Sequence, residues 1–468
     1  MPALSLQDFE RSALPTLLDY ATIPCLSPSF DAAWASNGEL DRAATLLADW
    51  LSATLPNATV RVNHLEGRTP LITAVLEATA PVDGTVVLYG HLDKQPPLGD
   101  WSEGLDPFVP VRRGDRVYAR GVADDGYSTF SAGLAVAALE NENVGHPRIV
   151  IAIEASEESG SEDLEAYLDD LTDTLGDVRL LVCLDSGAVS YDRLWVTTSL
   201  RGLVNTEVRI DVLERGKHSG SASGVVPSSF RVLRQLLDRI EDAATGEILL
   251  PEANATIPDR VTRAAQSLAD EFDDLLATEM PTVDGLRLMG DSAADRLVRQ
   301  TWHPALSVIG LGGAPEPAIA GNVVRPYTSA VLSVRLPPTV DPLKVYGAIE
   351  RALLSDPPEG ARIALRETNT AQGWVAPELE PWLADAIERA SIDFFGRGAG
   401  FTGEGGSIPF LASLGRRYPG VQFVATGVLG PDSNAHGIDE MLDLPCAVRV
   451  TNVVSSLLEA YVLASARP

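Results

Sequence analysis

The sequence predicts an α/β protein into which a smaller α+β domain is inserted. Apolar runs typical of buried strands alternate with segments of helical spacing, which indicates a mixed, mostly parallel sheet covered on both faces. In the middle of the chain, apolar and polar residues alternate instead, which indicates a different sheet with one wet face. The 468 residues also exceed what one compact core usually holds, so two domains are expected.

The first part of the main domain, residues 1–200, carries the alternating helices and apolar strands. The expected elements are a helix at 40–51, strands near Val75 and at 85–90, a helix at 130–137, a strand at 148–155, a helix at 164–175 and a strand at 179–186. The main domain resumes at 372–468, where a helix is expected at 382–395 and an apolar run at 421–429 is again typical of a buried strand.

Residues 201–371 form the predicted inserted domain. Val204 and Val208 alternate with Asn205 and Arg209, as in a strand with one face in water. The expected elements after this strand are a helix at 230–240, strands at 306–309 and 330–336, a helix from 341 and a strand at 362–366, with a long excursion at 246–301. This β-α-β-β-α-β order is the ferredoxin-like arrangement of an antiparallel sheet with helices on one side.

Composition and charge exclude several classes of protein. The chain has 36 basic and 65 acidic residues, and its net charge of −29 repels nucleic acid and anionic membranes. No uninterrupted apolar run approaches the roughly 20 residues of a membrane helix. Cys25, Cys183 and Cys446 are too few for a disulfide framework, and the N-terminus lacks a secretory pattern. We therefore expect a cytoplasmic protein without nucleic-acid or membrane partners.

Acids and histidines follow the apolar strands of the main domain. The residues concerned are His91 and Asp93 after the strand at 85–90, Glu157 and Glu158 after that at 148–155, Asp185 at the end of that at 179–186, His436 beyond the run at 421–429, and Asp124 and Asp125 just before a helix. In open α/β sheets, functional groups lie beyond the carboxyl ends of the strands. These side chains are therefore expected on one rim of the sheet.

Taken singly, each of these motifs has an ordinary explanation, such as a hydrogen-bonded histidine or a solvated acidic turn. Taken together they need cationic compensation, because adjacent acids repel one another and only Lys94 and Arg120 lie within or beside these segments. Two imidazoles and several carboxylates without thiolates are a ligand set for one or two divalent ions, either zinc, cobalt or manganese.

Five motifs resemble, in this order, the metal motifs of the M20 family of metallopeptidases and amidohydrolases: GHLDKQPP, ARGVADDG, EASEESGS, LDSGA and SNAHG. That family includes carnosinases, bacterial dipeptidases, aminoacylases and desuccinylases. The resemblance spans nearly the whole chain and extends to residues 302–313, 322–338 and 402–409. These segments are most similar to the carnosinase and dipeptidase branch.

The resemblance implies two divalent metal ions per subunit, zinc first, with manganese or cobalt as alternatives. His91, Asp124 and Asp185 would hold one ion, and Asp124, Glu158 and His436 would hold the other, so that Asp124 bridges both. Asp93, two residues after His91, would hydrogen-bond the second nitrogen of that imidazole. Glu157 matches the general base of the family.

The remaining matched residues fall in and beyond the inserted domain, which would act as a lid and dimerisation domain. His218 matches a histidine that reaches the partner protomer's site and polarises the scissile carbonyl. Arg335 matches the arginine that binds a substrate carboxylate, and Asn322, Gly406 and Ser407 are similar in position to the other substrate contacts. A functional homodimer through the inserted domain follows if His218 acts in trans.

The resemblance implies a hydrolase that cleaves the amide bond of a small carboxylate-bearing substrate. A dipeptidase or exopeptidase that uses a hydroxide bridging the two ions is the first hypothesis, with Glu157 taking up the proton. An aminoacylase or deacylase of N-acyl amino acids is the alternative, and the metal motifs do not separate the two. A catalytically silent dimeric binding protein is the third hypothesis, and the presence of Glu157 and all five ligand positions argues against it.

Overall fold

A computed structural model describes residues 3–406 and 408–465 of the chain. The described chain forms two compact units. The first unit combines Met1–Thr198, Ala376–Thr402 and Pro409–Pro468, and the second combines Ser199–Val375 with Gly403–Ile408.

The strands are short and are distributed along the whole chain. In chain order they are β1 Thr59–Asn63, β2 Leu71–Leu76, β3 Thr85–His91, β4 Val111–Arg113, β5 Arg116–Tyr118, β6 Arg148–Glu154, β7 Val178–Cys183, β8 Trp195–Leu200, β9 Gly202–Asp211, β10 Lys217–His218, β11 Ala305–Gly312, β12 Val323–Val324, β13 Tyr327–Leu336, β14 Arg362–Ala371, β15 Trp374–Val375, β16 Gly400–Glu404, β17 Gln422–Ala425 and β18 Met441–Asp443.

The α-helices lie before, between and after these strands. In chain order they are α1 Leu6–Ser12, α2 Leu14–Ala21, α3 Trp34–Asn37, α4 Glu39–Thr54, α5 Tyr127–Asn141, α6 Leu164–Asp170, α7 Thr172–Leu175, α8 Ser219–Ala222, α9 Ser229–Leu237, α10 Asp259–Phe272, α11 Leu275–Glu279, α12 Ala293–Trp302, α13 Pro342–Leu354, α14 Pro381–Phe395, α15 Pro409–Arg417 and α16 Leu444–Ser465.

The first unit is built on a mixed sheet whose strands run in the order β1-β2-β6-β3-β7-β17-β8. The central pairs β6–β3, β3–β7 and β7–β17 are parallel, whereas the flanking pairs are antiparallel. Every residue of β3 is buried, as expected for a central strand covered on both faces. The predicted α/β class with a mixed sheet is therefore confirmed.

Helices α2, α4, α5, α14 and α16 supply the apolar side chains that pack on this sheet. Trp50 of α4 meets Phe130 of α5 edge to face, with 4.7 Å between the ring centroids. Helix α16 is long and apolar enough to cross a membrane by length and composition, and 67% of its most apolar stretch is buried. Core helices share this pattern with membrane helices.

The second unit holds a four-stranded antiparallel sheet in the order β11-β13-β9-β14. Buried residues of β9 and β13 share one core with residues of α9 and α13, among them Val208, Leu332, Leu236 and Ile349. This strand order is the predicted split β-α-β arrangement. The excursion at 246–301 contains α10, α11 and α12, which pack around a small core of their own that includes Leu297 and Trp302.

Several predicted elements are shorter than expected: the strand expected at 179–186 ends at Cys183, and the helix expected at 230–240 ends at Leu237. The helix expected at 164–175 is interrupted at Leu171, which is a break between α6 and α7. The apolar run at 421–429 forms a strand only over Gln422–Ala425, because Gly427 then passes so close to the backbone of Ser186 that a Cβ there would lie 2.0 Å from its carbonyl oxygen. Tertiary crowding ends this strand where the apolar pattern continues.

Candidate metal centre

Three parallel neighbours of the first unit bring acids and a histidine to one edge of the sheet. His91 is the last residue of β3, and Asp185 follows the end of β7 by two positions. Glu157 and Glu158 lie in a short turn, Glu157–Ser159, directly after β6. Because the parallel strands β6, β3 and β7 are adjacent, their carboxyl ends meet, and the side chains that follow them converge.

Asp124 joins the two histidines of the cluster. Its Oδ1 lies 3.3 Å from Nε2 of His91, and its Oδ2 lies 3.0 Å from Nε2 of His436. Oε2 of Glu158 also lies 3.1 Å from Nε2 of His436. Asp124 sits in a turn that leads into α5, and His436 sits in the loop between β17 and β18. A single carboxylate thus faces an imidazole with each of its oxygens, as a bridging ligand must.

The imidazole of His91 is oriented so that Nε2 faces acids. Nδ1 lies 3.0 Å from the backbone oxygen of Asp93, and Oδ2 of Asp185 lies 3.8 Å from Nε2. A proton on Nδ1 can be donated to the oxygen of Asp93, which leaves the lone pair of Nε2 directed at Asp124 and Asp185. This is the tautomer that a metal ligand requires.

The carboxylate of Asp93 is fully buried between His91 and the Glu157–Ser159 turn. Its Oδ1 lies 3.5 Å from Nδ1 of His91. The same carboxylate accepts the backbone N–H groups of Glu157 at 3.2 Å and of Glu158 at 3.0 Å. Asp93 therefore orients the segment that carries both glutamates in addition to lying beside the histidine for which it was predicted.

The donor set fits divalent cations. Ligand atoms of His91, Glu157 and Asp185 lie within 4.8 Å of one another, and so do those of His91, Asp124 and Glu158. Oε1 of Glu158 is buried and accepts no hydrogen bond from the described residues. Imidazole nitrogens and carboxylate oxygens without thiolates suit zinc, manganese or cobalt. Glu157 lies among these donor atoms, close enough to act as a ligand or as a base.

The electrostatics of the cluster also call for positive charge. Burial, reinforced by the charge of Asp185, raises the pKa of Glu157 well above its usual range, and burial together with Asp124 raises the pKa of Glu158. Partial burial lowers the pKa of His436, but hydrogen bonds to Asp124 and Glu158 outweigh it and raise this pKa to about 11. The acids therefore draw protons onto themselves and their histidines, and divalent cations would supply the same compensation.

A buried acid behind this rim makes stability depend on pH. Glu154, only 3% exposed, accepts hydrogen bonds from Tyr89 at 2.6 Å and Ser161 at 2.9 Å, and burial raises its pKa from 4.5 to about 7. The folded chain holds this proton where the unfolded chain releases it. The stability it contributes is therefore full below pH 4.5 and is lost as the pH rises to about 7.

We expect Glu154→Gln to remove this dependence, a change on the order of 3 kcal/mol in the free energy of unfolding across that window. Urea unfolding of the metal-free chain at pH 4.5 and pH 8 gives the change in the free energy of unfolding between the two pH values. The prediction is tested by comparing this change between Glu154→Gln and the wild type. Glu142→Gln, at an exposed glutamate, serves as the control. Equal changes of stability with pH in wild type and Glu154→Gln would contradict the prediction.

Asp125 is a buried member of the site that the sequence did not assign. Its Oδ2 accepts the backbone N–H of His91 at 3.1 Å, and burial together with the nearby Asp185 raises its pKa well above its usual range. Gly90 makes room for this contact, since a Cβ there would lie 2.5 Å from the same Oδ2. The paired acids in ADDG were the available signal, but spacing alone does not separate a metal ligand from a buried support.

The predicted residues of the second unit are described within that unit. Nδ1 of the exposed His218 accepts the N–H of Gly220 at 3.0 Å, and the backbone oxygen of Asn322 accepts the N–H of Ser219 at 2.8 Å. Because Nδ1 of His218 accepts a hydrogen bond, the proton of the neutral imidazole is on Nε2, which can donate to an external oxygen. Gly406 is exposed, and Ser407 lies outside the described residues.

Two arginines of the second unit are half-buried close to each other. Burial lowers the pKa of Arg335, a residue of β13. Burial, together with the charge of Arg335, lowers the pKa of Arg201 to about 10. The guanidinium of Arg201 donates to the backbone oxygens of Gly405 at 3.2 Å and His303 at 3.5 Å. An anion beside this pair would relieve their mutual repulsion, and the sequence had pointed only to Arg335.

Comparison with known proteins assigns the family. The sequence model described as "Peptidase family M20/M25/M40" matches residues 87–460, a span that includes every member of the cluster. The chain belongs to this family. As a member of a peptidase family, it is a hydrolase of peptide bonds, so the resemblance and the enzyme class predicted from the motifs are both confirmed.

The M20 chain is similar to curated dipeptidases over most of its length. It is 27% identical over 361 residues to the cysteinylglycine-S-conjugate dipeptidase of Corynebacterium striatum, covering 77% of each chain. It is 26% identical over 365 residues to the human beta-Ala-His dipeptidase, covering 73% of this chain and 67% of that protein. Both of these relatives are dipeptidases by name.

Solved structures share the fold at low sequence identity. The crystal structure of human carnosine dipeptidase 1 matches with a TM-score of 0.79 at 22% identity, over 98% of this chain and 97% of that one. An M20 family metallo-carboxypeptidase from Sulfolobus solfataricus matches with a TM-score of 0.81 at 19% identity, over 96% of this chain and 99% of that one. These likenesses support the fold assignment.

Proposed function

We propose that this M20 chain is a dipeptidase that depends on two divalent metal ions. The observation that carries the proposal is the position of Asp124, whose two carboxylate oxygens lie 3.3 Å from His91 and 3.0 Å from His436. One ion would be held by His91, Asp124 and Asp185, and the other by Asp124, Glu158 and His436. Zinc is the first candidate, and manganese and cobalt suit the same donors.

The proposed chemistry is hydrolysis of an amide bond. When bound, the ions would lower the pKa of water and polarise the carbonyl of the substrate. Glu157 would accept a proton from the attacking water on its carboxylate and transfer it to the amide nitrogen, which leaves as the amine when the C–N bond breaks. The position of Glu157 supports this role, because its carboxylate lies within 4.8 Å of donor atoms of His91 and Asp185. Asp93 would hold Glu157 in place through the backbone N–H that it accepts.

The second unit would supply the substrate contacts. Nε2 of His218 carries the proton when Nδ1 accepts from Gly220, so this imidazole can donate to the developing oxyanion. Arg335, supported by Arg201, would bind the free carboxylate of the substrate, since paired cations favour a charged oxygen ligand. Asn322, Gly406 and Ser407 remain the proposed neighbours of the substrate. Both curated relatives are dipeptidases by name, which supports a dipeptide as the substrate.

A substrate panel tests the proposal. The purified chain is assayed with manganese, zinc or cobalt against unmodified dipeptides, the same dipeptides as C-terminal amides, and N-acetyl and N-succinyl amino acids. Cleavage of dipeptides with a clear loss on the amides is the expected result. Turnover of the acyl compounds alone would replace the proposal with an aminoacylase. An absence of bound metal and of any hydrolysis would favour a silent binding protein.

We also propose that the chain forms a homodimer through its inserted domain, residues 201–371. This domain would act as a lid and dimerisation domain, and the proposed location of the protein is the cytoplasm. Strand β11 lies at the edge of the four-stranded sheet and carries no charged side chain. Val308, Ile309 and Leu311 are 48%, 61% and 60% exposed on it. An uncharged apolar edge strand is a template for pairing with another chain, so a second copy is the expected occupant.

We expect Ile309→Asp to convert the dimer to a monomer, because an aspartate would be desolvated in the paired edge. Sedimentation velocity measures the change, and dipeptidase activity should fall with it if His218 acts in trans. Leu343→Asp, at a leucine that is 64% exposed on α13, is the matched control. A monomeric wild-type chain, or a dimer that survives Ile309→Asp, would contradict the prediction.

A further inference from the structure

The carboxylate of Glu440 is fully buried beside the candidate metal centre. Its Oε2 accepts from Nη1 of Arg120 at 2.8 Å and from the N–H of Gly121 at 2.9 Å. Its Oε1 accepts from the N–H of Ala123 at 3.0 Å and from the N–H of Asp124 at 3.1 Å. One side chain therefore gathers the backbone of the turn that presents Asp124 to the two histidines.

Arg120 connects this carboxylate to the second ligand segment. It is 1% exposed, and its Nη2 donates to the backbone oxygen of Gly437 at 2.5 Å. Gly437 directly follows His436 in the chain. Because the two ends of one guanidinium bind Glu440 and Gly437, the ion pair holds the Asp124 turn and the His436 loop in one geometry.

The His436 loop needs such support, because its backbone is in an unfavourable conformation. Four of its non-glycine residues have a positive φ: Asp432 at 65°, Asn434 at 50°, His436 at 62° and Asp439 at 60°. Left-handed conformations of this kind cost free energy and persist only where the surroundings impose them. The contact of Arg120 with Gly437 lies at the centre of this loop, next to the imidazole that the site requires.

Resting on the proposed function, we infer that Glu440 and Arg120 are positioning residues of the metal centre. Arg120 sets the place of His436 and so the affinity of the ion shared by Asp124, Glu158 and His436. Glu440 sets the place of Asp124 and so the affinity of both ions. Neither side chain is itself a ligand, since the carboxylate and the guanidinium are engaged with each other and with backbone groups.

Cobalt titration of the full chain, stripped of metal by chelation, tests the inference by calorimetry and visible absorption. The wild type should bind two ions in separate steps. Arg120→Lys keeps the buried charge but offers one nitrogen where the arginine offers two. We expect it to weaken one step by roughly 10- to 100-fold and to leave the other unchanged. Glu440→Gln should weaken both steps. If Glu440→Gln does not fold, the titration of Arg120→Lys alone tests the inference.

The control is Arg351→Lys, which makes the same change in an exposed pair with Glu252, 2.6 Å apart. It should leave both steps as in the wild type. Urea unfolding of each metal-free variant separates binding from stability. A lower unfolding midpoint for Arg120→Lys with both steps intact would reduce the pair to a structural role and overturn the inference. A wild type that binds no cobalt would reject the proposed function, and the positioning role with it.

Discussion

Glu157→Gln is expected to lower turnover of a dipeptide on the order of 100- to 10,000-fold, because one general base contributes about that factor. Glutamine has nearly the same shape but cannot take up a proton at neutral pH. The backbone N–H of residue 157 would still donate to Asp93, so the turn should keep its place. Both metal ions should therefore remain bound while the chemical step fails.

Steady-state kinetics and elemental analysis of the same preparation measure the two effects together. Glu162→Gln, at an exposed glutamate five positions along the chain, is the control and should be as active as the wild type. Near-normal activity of Glu157→Gln would remove Glu157 from the role of base. Loss of an ion together with activity would instead make Glu157 a ligand, a role that its place within 4.8 Å of His91 and Asp185 also permits.

Asp124→Asn is expected to release metal from both positions and to lower turnover at least as far as Glu157→Gln. The two oxygens of Asp124 face different imidazoles, so an amide nitrogen in place of one oxygen removes a ligand from one ion directly. The loss of the negative charge weakens the hold on both ions. After gel filtration in metal-free buffer, we expect fewer ions per chain than in the wild type.

Elemental analysis checks the metal content, and circular dichroism checks that the variant is folded. Asp100→Asn, at an exposed aspartate, should keep the full metal content. A folded Asp124→Asn chain with wild-type metal content would refute the bridging role. The proposal of two ions would then lose the observation that carries it.

Three of the ligand side chains could be predicted because they lie at or just beyond the end of a strand that is recognisable by its apolar character. His91 is the last residue of β3, and Glu158 and Asp185 lie a few positions beyond β6 and β7. Adjacent parallel strands end at one edge of their sheet. Local pattern and a general rule of topology therefore sufficed for these residues. The position of His436, far along the chain, came from the order of the motifs instead.

Glu440 and Arg120 could not be found in this way. An isolated glutamate and an isolated arginine usually lie on the surface, and no periodicity marks this pair, which is 320 positions apart in the chain. Asp125 was ambiguous for a related reason, since adjacent acids occur both as ligands and as supports. The partners of such residues are set by which loops meet after folding.

The amino-acid sequence by itself determined the α/β class, the ferredoxin-like order of the second sheet and the acids and histidines of one rim. These depend on hydrophobic periodicity and on the order of elements, which are local properties of the chain. Only the tertiary structure decided where the run at 421–429 leaves the sheet, that Asp124 faces both imidazoles, and that a buried ion pair holds its turn. Those features arise from contacts between distant segments, whose geometry the packing of the whole unit imposes.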